Sequence, residues 1–146
     1  NRMDSIDLLD VIKVIENKIY EIKPEIIYTH HSNDLNVDHR ITHQAVLTAC
    51  RPEPNTTIKK IYCFEVPSST DWQSPQAGAP FIPNTFVDIS NTIEKKLAAL
   101  KAYESEMKPW PHSRSIQAIE HLARWRGASA GFEAAEAFSL SRNLVS

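Results

Sequence analysis

With 146 residues, 42% of them hydrophobic and 23% charged, the sequence has the composition of a globular chain and the length of a single domain, residues 1–146, or part of one. Sixteen Lys and Arg against eighteen Asp and Glu leave a formal charge of −2, which offers no footprint for nucleic acid or an anionic membrane. No apolar run reaches the ~18 residues of a membrane-spanning helix. The two cysteines, Cys50 and Cys63, are too few for a disulfide framework. No basic-plus-apolar leader is visible, so the expected location is cytoplasmic.

The chain opens Asn1-Arg2-Met3-Asp4, without an initiator methionine, which suggests processing or a piece of something longer. Asp4 can cap a helix carrying Leu8, Ile12, Ile15 and Ile19 on one face, and Pro24 ends it. Glu25 to Thr29 reads as a short buried strand. A polar loop, His30 to Val37, leads into a second helix opened by Asp38 and running to about Ala49, with Ile41, Ala45 and Val46 inward. Prolines 52 and 54 break it. Ile58 to Val66 is a second strand. Pro67 to Asn84 is irregular, and a stretch that long is more often functional than idle. Thr85 to Ile89 is a third strand, and Asn91 with Glu94 has the spacing of a capping box. The helix it opens carries Ile93, Leu97, Leu100 and Tyr103 on one face. A fourth helix spans Ser113 to Arg126, with Gly127 at its stop. Glu133 to Leu144 is open between strand and helix. Strands alternating with helices predict an α/β fold with a largely parallel sheet flanked by helices. Three strands are few for such a sheet, so N-terminal strands are expected to be missing.

The chemistry concentrates in His30-His31-Ser32-Asn33-Asp34-Leu35-Asn36-Val37-Asp38-His39, followed by His43. Four histidines fall within this short segment, directly after a strand, where open α/β sheets bind ligands. Imidazole and carboxylate are the usual ligands of catalytic zinc. His39 and His43, four apart on a helix, face the same way, and Asp38 can orient or polarise a neighbour. The plainer reading is that Asp and Asn cap helices and make turns here, and that His43 is a surface residue. Trp72 and Trp125 can simply cover core. His112 and Arg114 flank a helix start and are candidates for substrate contact. Glu136 sits among Ala134, Ala135, Ala137 and Phe138, and a carboxylate in that setting wants a partner. No glycine-rich phosphate loop and no Gly-x-Ser-x-Gly motif is present.

The stretch Thr29 to Arg40 resembles the second motif of the LmbE/PIG-L deacetylases. Asn1-Arg2-Met3-Asp4 is similar to the same family, as are Tyr103-Glu104-Ser105-Glu106 with Pro111-His112-Ser113-Arg114-Ser115, and Arg126-Gly127 leading to Ala135-Glu136-Ala137-Phe138, all in the expected order. The resemblance implies a Rossmann-like α/β fold and a zinc-dependent hydrolase that removes an N-acetyl group from an amino-sugar conjugate. Two zinc ligands and the general base come, in that family, from an Ala-His-Pro-Asp-Asp-Glu motif. The third ligand corresponds to His39. Asp38, Asn36 and His31 would then take catalytic roles, and Asp34, His112, Arg114 and Glu136 would contact substrate. Two departures stand out. The first motif is absent, so the chain resembles the C-terminal two-thirds of a deacetylase and is expected to be inactive by itself. Asn36 stands where many members carry a histidine that stabilises the oxyanion. An asparagine amide can donate a hydrogen bond there but cannot deliver a proton. The proton donor is left open between His30 and His31.

These readings converge on a hydrolase acting on a small amino-sugar molecule, with Zn2+ as cofactor and neither nucleic acid nor a membrane span involved. The alternative is a non-catalytic carbohydrate-binding domain that uses Trp72, Trp110, His112 and Arg114. A remnant without a ligand is the plainest reading. Uncovered strand edges favour self-association, so a homo-oligomer is expected.

Overall fold

The computed structural model describes residues 2–145, so Asn1, the first residue of the N-terminal motif-like stretch, lies outside the described residues. The chain forms two compact units, one from the stretch up to Ile82 together with the stretch from Ser139 on, the other from Pro83–Phe138.

The first unit opens with a 3-10 turn, Met3–Ser5, so Asp4 lies within that turn and Asp7 takes the cap position of α1, Leu8–Ile22. The spacing of Ile12, Ile15 and Ile19 turns one face of α1 inward. Lys23 ends the helix in the left-handed region, φ 51°, with its amide bonded to the Ile19 carbonyl, immediately before Pro24. Strand β1, Ile26–His30, pairs in parallel with β2, Lys60–Phe64, from Ile26 opposite Lys60 to His30 opposite Phe64. Helix α2, Val37–Ala49, connects them and packs on α1 and β1. The two-residue period of the strands sends Ile27 and Ile61 into a core with Val46, Cys50, Ile58 and Leu47. Ile61 is fully buried, which contributes about 2–3 kcal/mol. On the opposite face Tyr28 stacks on Tyr62, ring centroids 5.5 Å apart. The last strand, β4, Ala135–Asn143, ends in this unit, where the Arg142 guanidinium donates to the Cys50 carbonyl.

The second unit holds β3, Thr85–Asp88, helices α3, Ile93–Lys101, and α4, Ile116–Ala128, and the start of β4. Ile93, Leu97, Ile119, Ala123 and Ala134 form its core, with Ile89, Leu100, Met107 and Ile116 against it. Tyr103, placed on the α3 face by its spacing, lies past the helix end and is exposed. The segment left open between helix and strand is β4. It pairs antiparallel with β3, from Thr85 opposite Phe138 to Asp88 opposite Ala135. Strand neighbours follow the order β1-β2-β4-β3. The parallel expectation therefore holds for β1 and β2 and not for β3 and β4. One crossover helix returns the chain for a parallel strand, whereas two helices, α3 and α4, bring it back for an antiparallel one.

Two local expectations are corrected here. The Asn91–Glu94 capping box does not form. Thr92 is the cap residue of α3, without a side-chain cap bond, because a turn at Asp88–Ser90 precedes it: the Asp88 carboxylate accepts from the Ser90 amide at 2.9 Å. Gly127 does not stop α4 but lies inside it, and the left-handed glycine is Gly131, φ 81°. Gly127 is required by close approach: a Cβ there would come within 2.6 Å of the Ala134 Cα.

Candidate functional site

Parallel strands β1 and β2 end side by side, and the two loops that leave their carboxyl ends are tied together. The His31 amide donates to the Phe64 carbonyl at 3.1 Å, and the Leu35 amide to the Ser69 carbonyl at 3.3 Å. Loop 31–36 then enters α2 through Asn36, whose side-chain oxygen accepts from the Asp38 amide at 2.9 Å. Asn36, rather than Asp38, caps this helix. The Asp38 side chain lies in the first turn, where the helix dipole favours a carboxylate, and accepts from the Met3 amide at 3.3 Å.

Asp34 is the centre of the arrangement. Its side chain is fully buried, and both carboxylate oxygens are occupied. Oδ1 accepts from the Asn36 amide at 2.9 Å and from the Ser69 hydroxyl, and stands 3.1 Å from His39 Nδ1. Oδ2 accepts from the Thr70 hydroxyl at 2.8 Å. Burial pushes the carboxyl up, but the hydrogen bonds from Ser69, Asn36, Thr70 and His39 outweigh it and hold Asp34 below the usual carboxylate range. Arg40 and Gln73 bind the backbone carbonyl of Asp34, at 2.6 and 3.3 Å. Asp34, expected at the substrate, has no exposed surface here, and its carboxylate faces His39.

His39 is partly buried and stacks on His30, ring centroids 4.1 Å apart. With Nδ1 turned to Asp34, its Nε2 has no hydrogen-bond partner among the described residues. His30 also meets Phe64 at 4.8 Å, and its Nδ1 is buried without a partner among the described residues. Burial and the neighbouring His39 lower His30 to about 4, so it is neutral at pH 7. His31 is buried, its Nε2 lies 3.0 Å from the Ala79 carbonyl, and its ring meets Phe81 edge-on. A neutral imidazole is a poor proton donor at pH 7, which weighs against His30 in that role. His43, read as a surface residue, is half-buried with Nδ1 at 2.8 Å from the His30 carbonyl, and burial lowers it too.

The remaining expected site residues belong to the second unit. The Arg114 guanidinium donates to Glu106 at 2.8 Å, and its amide donates to His112 Nδ1 at 3.0 Å. Glu136 finds its partner in Lys96, 2.7 Å away. Ser69 and Thr70 were missed by sequence reasoning. Their only signal is a polar Ser-Ser-Thr run at the start of the irregular stretch after β2.

The donor set can be compared with a zinc shell. An imidazole held by a buried carboxylate through Nδ1, with Nε2 unpartnered, has the pattern of a metal-ligating histidine. A catalytic zinc takes about three protein ligands. Among the described residues no group of three or more His, Cys, Asp or Glu surrounds a common position. The described residues therefore fit one position of a zinc shell and not the whole of it. No helix among them is long and apolar enough to cross a membrane.

No protein-family model matches the sequence, and neither does any curated protein. The fold is nonetheless shared with solved structures. A conserved protein from Thermus thermophilus superposes with a TM-score of 0.72 at 17% identity, covering 96% of this chain and 62% of that one. The 4-carboxy-2-hydroxymuconate hydratase of Pseudomonas putida gives 0.69 at 20%, covering 94% and 60%. The N,N'-diacetylchitobiose deacetylase of Pyrococcus horikoshii, in complex with an inhibitor, gives 0.66 at 17%, covering 91% and 51%. The chain thus spans less than two thirds of the length of each of these structures.

Proposed function

We propose that the protein carrying this chain is a zinc-dependent amide hydrolase of the LmbE/PIG-L type, which removes an N-acetyl group from a small amino-sugar conjugate. The observation that carries the reading is the Asp34–His39 pair at the carboxyl end of β1: a buried carboxylate fixes one imidazole nitrogen and leaves the other unpartnered. The fold shared with a chitobiose deacetylase supports it. The fold shared with a hydratase means that the reaction class rests on the site and not on the fold.

In this reading His39 is one metal ligand, and the other ligands and the general base lie elsewhere in the protein. Zinc, when bound, supplies a Lewis acid for the amide carbonyl. Asn36 already commits its side-chain oxygen to the α2 cap, so its amide nitrogen is the part left to donate to a developing oxyanion. Asp38, next to His39 in sequence and held by the Met3 amide, is assigned to catalysis. His31 holds loop 31–36 to the segment at Ala79, and neutral His30 packs the inner face of His39. His112, Arg114 and Glu136 are assigned to substrate contact.

Acetate release from N,N'-diacetylchitobiose, measured with and without Zn2+, tests the reading. His39→Ala should lower the zinc-dependent rate by at least about 100-fold. A rate that survives the substitution, or that ignores the metal, removes His39 from the metal shell. Trp72 and Trp110, each 54% exposed, favour the second reading, a carbohydrate-binding domain without turnover. Saturable binding of the sugar with no acetate release, metal present, would select it.

A further inference from the structure

The hydroxyls around Asp34 carry directional information. A hydroxyl has one proton and can spend it once. Thr70 Oγ1 accepts the Val66 amide at 2.8 Å, so its proton goes to Asp34 Oδ2, 2.8 Å away. Ser69 Oγ accepts the Asn36 amide at 3.3 Å, and its proton goes to Asp34 Oδ1. The Asn36 amide also reaches Oδ1. Every one of these groups is a donor toward the carboxylate, which leaves no acceptor for a proton on Asp34 itself. An ionised carboxylate accepts only. The group facing it at 3.1 Å, His39 Nδ1, is then the N–H nitrogen, and Nε2 holds the lone pair.

The turn that delivers these hydroxyls is specialised. The Ser69 and Thr70 amides both bond to the Val66 carbonyl, at 3.1 and 2.9 Å. Ser68, just before them, sits at φ 65°, in the left-handed region that non-glycine residues rarely occupy. The Ser69 amide is also held by the Asp71 carboxylate at 3.0 Å. A strained turn held at several points is a device for placing side chains.

We propose that the Val66–Thr70 turn is a positioning element that fixes the tautomer of His39: Ser69 and Thr70 hold the Asp34 carboxylate with Oδ1 facing the imidazole, which places the His39 proton on Nδ1 and the lone pair on Nε2. The use of that lone pair toward a metal rests on the hydrolase reading above; the tautomer itself does not. Thr70 reaches His39 through Asp34, whereas Ser69 Oγ also stands 3.5 Å from His39 Nδ1, farther than from the carboxylate.

Long-range proton–nitrogen correlation spectra of the 15N-histidine-labelled chain at pH 8, without metal, read the tautomer directly. The His39 signals are identified by their loss in His39→Gln. The expected result is a dominant Nδ1–H tautomer in the unsubstituted chain. In Thr70→Val, which keeps shape and loses the hydroxyl, Oδ2 loses the bond that keeps Oδ1 facing the imidazole, and the ratio of Nδ1–H to Nε2–H should fall about tenfold. Thr70→Ser should restore it. Ser69→Ala combined with Thr70→Val should lower it further. A dominant Nε2–H tautomer in the unsubstituted chain overturns the proposal, and that measurement does not depend on any variant folding. So does an unchanged ratio in a Thr70→Val chain with a native amide spectrum. A chain with the Nδ1–H tautomer from a protein that releases no acetate upholds this proposal and sinks the hydrolase reading; the reverse pair of results does the opposite.

Discussion

Asp34 and Glu136 are both carboxylates carried into partly or fully buried positions, and the two regions treat them in opposite ways. Asp34 is fully buried and, among the described residues, has no Lys or Arg on its carboxylate oxygens; neutral donors from two loops and one imidazole surround it. Glu136 keeps 40% of its side chain exposed and meets a lysine. A solvated ion pair is screened and can be lost cheaply. A buried carboxylate saturated by donors cannot, because each donor left behind is then unpaired in a dry site. The β1–β2 loop region is therefore organised around a charge, and the β3–β4 region around packing. Proteins that need only stability have little use for the first arrangement, which is why it marks the candidate site.

The largest effect is expected at Asp34. Asp34→Ala strands the Asn36 amide and the Ser69 and Thr70 hydroxyls and should cost about 3 kcal/mol, read as a fall in the urea midpoint. A loss under about 1 kcal/mol would place Asp34 with ordinary surface carboxylates and end the comparison. The packing region should break at a residue without charge. Gly127→Ala drives a methyl to within 2.6 Å of the Ala134 backbone and 2.8 Å of the Phe132 carbonyl, neither of which is a flexible side-chain end. A cost of about 2 kcal/mol is expected, with unfolding measured by the same means.

Acid should separate the regions next. His30 titrates near its ordinary 6.5 when unfolded and at about 4 when folded. The unfolded chain takes up the proton first, so this contribution is complete above pH 6.5 and drains away as pH falls toward 4. His43, lowered by burial, acts in the same direction. Asp34 is held below its ordinary value, so its contribution persists to lower pH and is lost only as pH falls through the folded value. Thermal midpoints should decline between pH 6.5 and 4, and His30→Phe should flatten that decline. An identical slope in the variant would show that His30 is not the group responsible.

Much of this organisation is legible in the sequence where it is periodic. The isoleucines of α1 and the alternation of β2 lie where their spacing puts them, because a 3.6- or 2-residue period needs only local geometry. The ends are less legible. Asn36 and Asp38 are both good caps, and only the backbone angle decides that Asn36 serves. β4 is alanine-rich at its start and could not be told from helix until its pairing with β3 fixed it. The histidine loop is legible as a polar cluster that follows a strand. The contacts inside it are not, since Ser69 and Thr70 reach Asp34 from 35 and 36 residues away and nothing in a Ser-Ser-Thr run announces such a contact. The partner of Glu136 was equally hidden, 40 residues back on α3.

The Lys96–Glu136 pair makes the smallest prediction and the sharpest control. Its short 2.7 Å separation looks strong, yet the side chains are 30% and 40% exposed, so water competes for both ends and salt screens the attraction. Glu136→Gln should therefore cost less than about 1 kcal/mol, and part of even that should vanish in concentrated salt. Lys96→Met, which keeps the packed stem, should cost no more, and the double variant should cost nearly the sum of the two. If instead either single change cost as much as Asp34→Ala, or the pair were strongly coupled in high salt, then Glu136 would be a second carboxylate around which structure is built, and its assignment to substrate contact would have to be weighed against a purely structural demand for its charge.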